Sequence, residues 1–257
     1  MILRSSWLLC CSLFMTFAAN AESLVTVQGD AAKPGRYSFQ EGMRLHDVLL
    51  PAQVNPKAYL LGAAWLHVPL RNAQERLKLG VLFDLATVRS NALQDDETEL
   101  AALAARLSDK VQAMPVTGRR VAQLDPVRVE LNRGDNPYLS SGDVLLYPAR
   151  PTTVRVVGAV LGECELAYQP LQPAISYLKS CPRDPGADAD LLFVIQPDGR
   201  VFQEGIALWN ETKSVPPAPG ARIFVPLRNN AQGDPTPDLN TELAAFIATQ
   251  PLLEVTP

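Results

Sequence analysis

The stretch Gly142 to Val160 (GDVLLYPARPTTVRVVGAV) holds two apolar strand patterns separated only by Ala149-Arg150-Pro151. Both patterns occur twice in the chain. Leu24 to Gly29 (LVTVQG) opens as Thr153 to Gly158 (TVRVVG) does, and Ala221 to Arg228 (ARIFVPLR) repeats Val144 to Arg150 (VLLYPAR). An opening and a closing strand that each recur restrict the chain to one fold in tandem, the first copy ending where the second begins. The expected units are residues 22–151 and 152–228, followed by a linker and terminal helix over 229–257.

Before the first unit, Arg4 precedes an uncharged apolar run from Trp7 to Ala19, then Ala19-Asn20-Ala21, with small residues at both ends of an A-x-A site. Residues 1–21 therefore read as a signal peptide cleaved between Ala21 and Glu22. The run is shorter than the roughly 20 apolar residues a membrane span requires. Lipidation at Cys10 or Cys11 is disfavoured, because Leu9 and Cys10 stand where a small residue is needed. Such a leader implies export, and two cysteines, Cys164 and Cys181, remain to meet an oxidising compartment. A disulfide is expected, and two thiols without a nearby histidine make no recognisable zinc set.

Removing Arg4 leaves 22 of the 23 basic residues against 27 acidic ones, a net charge of −5. No basic stripe exists to neutralise phosphates, which argues against a nucleic-acid partner. With 47% hydrophobic and 19% charged residues, the chain has ample material for folded cores.

Within the first unit, Leu24 to Gly29 alternates as a half-buried strand, Lys33-Pro34-Gly35 turns, and Arg36 to Phe39 returns. Met43 to Leu50 has helical spacing and is expected to stop at Pro51. Tyr59 to Val68 (YLLGAAWLHV) reads as a third strand, with a buried helix left open by periodicity. Residues 71–114 switch to helical period and predict an antiparallel helical hairpin inserted in this unit. Asp96 and Glu99 resemble a capping box for its second helix, with the acidic cluster around them a solvated first turn. Val127, Val129 and Leu131 alternate as a further strand before Val144 to Tyr147 closes the unit.

The second unit repeats this frame without the hairpin. Val154, Val156 and Val160 alternate, Cys164 to Tyr168 answers, and Pro173 to Leu178 predicts a short helix; Leu191 to Ile195, the turn Gln196-Pro197-Asp198-Gly199 and Val201 to Gln203 predict a β-hairpin. Ile223 to Val225 is the last strand. After the polar linker, Asp238 precedes Leu239, Leu243, Phe246 and Ile247 on one helical face. That helix lacks a cationic face for lipid and docks either on its own protein or on a partner.

The pattern resembles the periplasmic capsule biosynthesis GfcC family, including YjbG-like proteins of exopolysaccharide operons. The residues that carry it are VTVQG with Lys33-Pro34-Gly35, Ala63 to Leu66 (AAWL), Pro115 to Arg119 (PVTGR), Leu139 to Pro148 (LSSGDVLLYP), Val154 to Val160 and Pro219-Gly220. The resemblance implies an α+β chain of two tandem β-grasp domains of the soluble-ligand-binding kind (SLBB), similar to the periplasmic part of the Wza export channel. It also implies a hairpin in the first domain and a terminal amphipathic helix. The function it implies is assembly or export of a surface polysaccharide in the periplasm of a Gram-negative bacterium, with no reaction and no cofactor. Expected partners are a polysaccharide or polysaccharide-export proteins, and a monomer is expected.

Neither His46 nor His67 lies in a catalytic frame, and the many carboxylates single out no glycosidase pair. A non-catalytic adaptor is therefore preferred over a carbohydrate-modifying enzyme. Arg119, beside Arg120 where the chain re-enters the sheet, is the first candidate for holding a carboxylate or phosphate bidentately. Its alternative role is to fix the hairpin through an intraprotein salt bridge or as a ligand of carbonyls. Trp65, Tyr138 and Trp209 are candidates for stacking on sugar rings, with a core role the alternative for Trp65.

Overall fold

The structure is a computed structural model that describes residues 23–228 and 235–253; the expected cleavage site at Ala21 and Glu22 and most of the linker lie outside them. The first unit runs β1 (Leu24–Gly29), β2 (Gly35–Ser38), α1 (Leu45–Ala52), β3 (Ala64–Leu66), α2 (Arg71–Gln94), α3 (Thr98–Ala113), β4 (Arg119–Arg120), α4 (Pro126–Leu131) and β5 (Val144–Tyr147). Its sheet has the order β2-β1-β5-β3-β4, with β1 and β5 parallel and the other pairs antiparallel. The second unit runs β6 (Thr153–Gly158), β7 (Cys164–Ala167), α5 (Ala174–Tyr177), β8 (Leu191–Ile195), β9 (Val201–Gly205) and β10 (Arg222–Val225). Its order, β7-β6-β10-β8-β9, is the same, with β6 and β10 parallel. The chain is thus mixed α+β, with two five-stranded sheets of one topology.

The repeated glycine of VTVQG and VRVVG has a structural cause. Gly29 and Gly158 end β1 and β6 at φ 92° and 96°, and a Cβ at either would strike the carbonyl oxygen of the parallel neighbour, Tyr147 or Val225. Only glycine lets the strand turn away at that distance. The next amides, Asp30 and Ala159, then donate to those same two carbonyls at 2.7 and 2.8 Å.

Alternation sends Val25, Val27, Leu145 and Tyr147 to one face of the first sheet, where they meet Leu45, Val48 and Leu49 of α1 and Val129 of α4. The opposite face carries Ala64, Leu66 and Leu146 and meets Leu253. In the second unit, Val154, Val156, Ile223 and Phe224 share one continuous core with Tyr177 of α5, with α6 (Leu239–Ala248), and with α2 and α3. The hairpin lies between β3 and β4 in sequence, yet Val81, Leu85, Leu103 and Leu107 are buried in the second unit's core. Three ion pairs follow the same seam: Arg106 with Asp184 (2.8 Å), Lys110 with Glu163 (2.6 Å) and Arg228 with Glu97 (2.5 Å). The terminal helix docks on its own protein, as one of the two readings had it: Phe246 and Leu243 are buried in this core.

Four local expectations are corrected. Val127 to Leu131 is helix α4, not a strand. Asp125 accepts from the Val127 amide at 3.0 Å and Pro126 occupies the first turn, a start signal that outweighs three alternating apolar residues. Pro51 does not stop α1 but sits in its last turn, and the helix runs on to Ala52 and is capped by Gln53 in the left-handed conformation. Only Ala64–Leu66 of the expected third strand is extended, flanked by single 3-10 turns at Leu60–Gly62 and Val68–Leu70. Asp96 does not cap α3. It is left-handed (φ 58°) and closes α2, the Glu97 amide reaching back to the Ala92 carbonyl at 2.7 Å as in a Schellman motif.

Candidate functional site

Arg119 stands at the start of β4 and is buried. Its Nη1 donates to the carbonyls of Ala248 (3.2 Å) and Gln250 (3.3 Å), and Nη2 donates to the Pro197 carbonyl in the β8–β9 turn. Thr117 Oγ1 takes the intervening Thr249 carbonyl at 2.8 Å, and Gln250 Nε2 returns a bond to Pro115 at 3.1 Å. These are the carbonyls that the C-terminal end of α6 leaves without helical partners. A cation there also suits the negative end of the helix dipole. Burial, and then the nearby Arg222, push the Arg119 guanidinium down to about 10, with Asp198 opposing. The group is still charged at neutral pH. The fork of Arg119 is thus committed to main-chain carbonyls that tie the hairpin's exit to α6 and to the second sheet.

Arg120, the next residue, stacks its guanidinium 4.7 Å from the Trp65 ring. Trp65 is fully buried in β3 and donates Nε1 to Asp143 at 2.9 Å. Asp143 was not singled out by sequence reasoning, yet it organises this corner. Its Oδ2 also meets His67 Nδ1 and accepts from the Ser140 amide, each at 2.9 Å, and its Oδ1 accepts from the Val68 amide at 3.0 Å. Asp143 has no exposed surface, and these donors satisfy its buried oxygens. The available signal was a lone aspartate at the mouth of the apolar run VLLY.

The other candidates lie apart from this corner. Tyr138 is exposed at the start of α1, where Arg44 covers its ring at 3.8 Å and bridges to it. Trp209 is exposed on the loop after β9 in the other sheet. Cys164 and Cys181 are joined, tying β7 to the segment after α5.

A cleft of about 1150 Å³ opens between the two units. Leu66 and Val144 of the first sheet face it from one side and Val157 and Arg155 of the second from the other, with Leu107 and Val111 of α3 above. Residues 250–253 run through it: Leu252 lies against Gly62 and Gly220, and Leu253 against Gly29. Arg222 holds this segment, Nη1 donating to the Gln250 carbonyl at 2.9 Å and Nη2 to that of Pro251 at 3.3 Å. Burial, then Arg155, lowers its guanidinium to about 10. Outside the cleft lining, buried Tyr59 donates its hydroxyl across the units to the Pro219 carbonyl at 2.8 Å, and burial pushes that phenol up to about 12. At the rim, Lys110 pairs with Glu163, and Glu165 faces Arg155 at 3.6 Å and accepts from Thr153 Oγ1 at 2.7 Å. These half-exposed groups offer donors and acceptors in alternation.

Among the described residues no group of three or more His, Cys, Asp and Glu side chains is placed to hold a metal ion. No helix among them is long and apolar enough to cross a membrane.

Comparison with known proteins covers both units. Residues 21–151 match the family model described as capsule biosynthesis GfcC, N-terminal, and residues 163–251 match capsule biosynthesis GfcC C-terminal. The protein described as "Uncharacterized protein YjbG" of Escherichia coli (strain K12) is 31% identical over 169 residues, spanning 65% of this chain and 66% of that relative. With a matched N-terminal model that alone covers half of the sequence, and a matched C-terminal model beside it, this chain belongs to the GfcC capsule biosynthesis family.

Proposed function

We propose that this protein is a non-catalytic periplasmic accessory component in the assembly or export of a surface polysaccharide, holding a glycan or a secretion partner in the cleft between its two sheets. The observation that carries this reading is that the cleft is built jointly by residues of both family-matched halves and is large enough to take a ligand. Its rim of Lys110, Glu163, Arg155 and Glu165 supplies hydrogen-bonding groups for sugar hydroxyls. None of the described residues that line the cleft is aromatic, so recognition by them rests on hydrogen bonds and charge rather than on stacking.

The strand order with its central parallel pair supports the reading of both units as β-grasp domains. The Cys164–Cys181 disulfide supports export to an oxidising compartment. The non-catalytic reading is supported by where the reactive side chains are spent. His67 and Asp143 are bound to each other and to main-chain amides, and Arg119 is bound to carbonyls.

The test is calorimetric titration of the purified protein with capsular oligosaccharides, run beside mass spectrometry of the recovered glycan. The expected result is binding of unaltered glycan, weakened several-fold by Arg155→Ala together with Glu165→Ala. Glycan turnover abolished by changing a single carboxylate or histidine would replace this reading with that of a periplasmic carbohydrate-modifying enzyme.

A further inference from the structure

Helix α2 is apolar on two sides. One side, with Val81, Leu85 and Ala92, is buried in the second unit's core. The other exposes Leu79 (60%), Phe83 (72%) and Leu93 (54%), with Ala86 and Ser90 exposed between them. Positions 79, 83, 86, 90 and 93 follow the alternating four-and-three spacing of a coiled-coil seam, which lies as one stripe along a helix. The outer groove between α2 and α3 continues it with small residues, Ala104, Ala105 and Ser108, which allow another helix to approach closely. A stripe of large exposed apolar side chains on a long helix marks an interaction surface.

We infer that this face of α2 pairs antiparallel with the same face of a second copy of the chain, about a two-fold axis at Ala86. About that point Leu79, Ala86 and Leu93 of the stripe fall on one another, and Ser90 faces Leu82. Leu79 and Leu93 are each seven positions from Ala86, so each leucine meets the other in the partner copy. Phe83 and Arg89 are three positions away, which sets a guanidinium over an aromatic ring. Arg76, ten positions before Ala86, falls beside the C-terminal end of the other copy's α2, where Asp95 and Asp96 follow Gln94.

The charges at the two ends of the helix agree with this pairing. The N-terminal end exposes Arg71, Glu75 and Arg76, and the C-terminal end leads to exposed Asp95, Asp96 and Glu99. Glu75 falls opposite Glu97, whose carboxylate is already paired with Arg228. Antiparallel helices also set opposite dipole ends together. An isologous contact of this kind needs one surface to match itself, and an apolar centre with oppositely charged ends does so. The two hairpins would then form a four-helix bundle, in place of the monomer expected from the sequence.

Sedimentation equilibrium of the processed protein tests the inference. The expected result is a dimer in the micromolar range that Phe83→Asp converts to monomer, with circular dichroism unchanged because Phe83 is exposed in the single chain. Ala86→Cys gives an independent geometric readout, since the two remaining native cysteines are already joined. It should cross-link to itself under mild oxidation, whereas Lys57→Cys, on an exposed loop, should not. A protein that stays monomeric well above micromolar concentration overturns the inference. So does a dimer that survives Phe83→Asp and leaves Ala86→Cys uncross-linked.

Discussion

The two sheets share strand order, parallel pair and terminal glycine, but they are covered differently. The first is covered by helices of its own unit, α1 and α4. The second has only the four-residue α5 of its own, and its core is completed by α6 and by the hairpin that chain order assigns to the first unit. A repeated fold here does not mean two independent cores. The inserted hairpin and the terminal helix convert a tandem into one interlocked body, and the cleft lies where the parts meet.

That contrast can be broken from either side. The largest effect is expected inside the first unit, at Asp143. Asp143→Ala removes the acceptor for four donors, from Trp65, His67, Val68 and Ser140, and should cost about 4 kcal/mol in denaturant titration. Arg119 belongs to neither unit alone. Arg119→Ala strands the Ala248 and Pro197 carbonyls, leaves Gln250 to Arg222 alone, and should cost about 3 kcal/mol. Arg119→Lys should recover only part of this, because one ammonium cannot reproduce the fork that spans Ala248, Gln250 and Pro197. The disulfide is particular to the second unit. Replacing Cys164 and Cys181 by serine frees a loop with a sequence separation of 17 and should cost about 2 to 3 kcal/mol.

Glu204 should show the smallest effect. It is buried on β9, and burial raises its carboxyl, opposed by hydrogen bonds from the Val215 amide and Ser214. An acid raised in the fold is no burden below its unfolded value, and stability falls as pH rises through the folded one. Glu204→Gln keeps an acceptor for Val215 and should flatten that decline, read as Tm against pH from 4 upward, with a gain near neutrality of about 1 kcal/mol or less.

Much of the frame was legible. β1, β5, β6 and β8 stand at the residues expected, because period-two patterns were punctuated by glycine and proline. α4 was misread because Val127, Val129 and Leu131 alternate, while the Asp125-Pro126 start signal occupies only two residues. The site was legible in position but not in partners. Arg119 stood out at the return to the sheet, yet its carbonyls lie 78 to 131 residues away along the chain. Nothing local in the sequence says which sheet an amphipathic hairpin will cover. Its apolar face is visible from spacing, but its destination is set by tertiary packing.

The central claim is that the hairpin encoded within the first unit is core to the second. Hydrogen exchange with mass spectrometry on Leu103→Ala, a fully buried hairpin position, tests it most directly. A buried Leu→Ala change costs about 2 to 5 kcal/mol. Amide protection should drop in β6, β8, β10 and α6 while β1 and β5 keep theirs. Protection lost instead from β1 and β5, with the second sheet unchanged, would contradict the account.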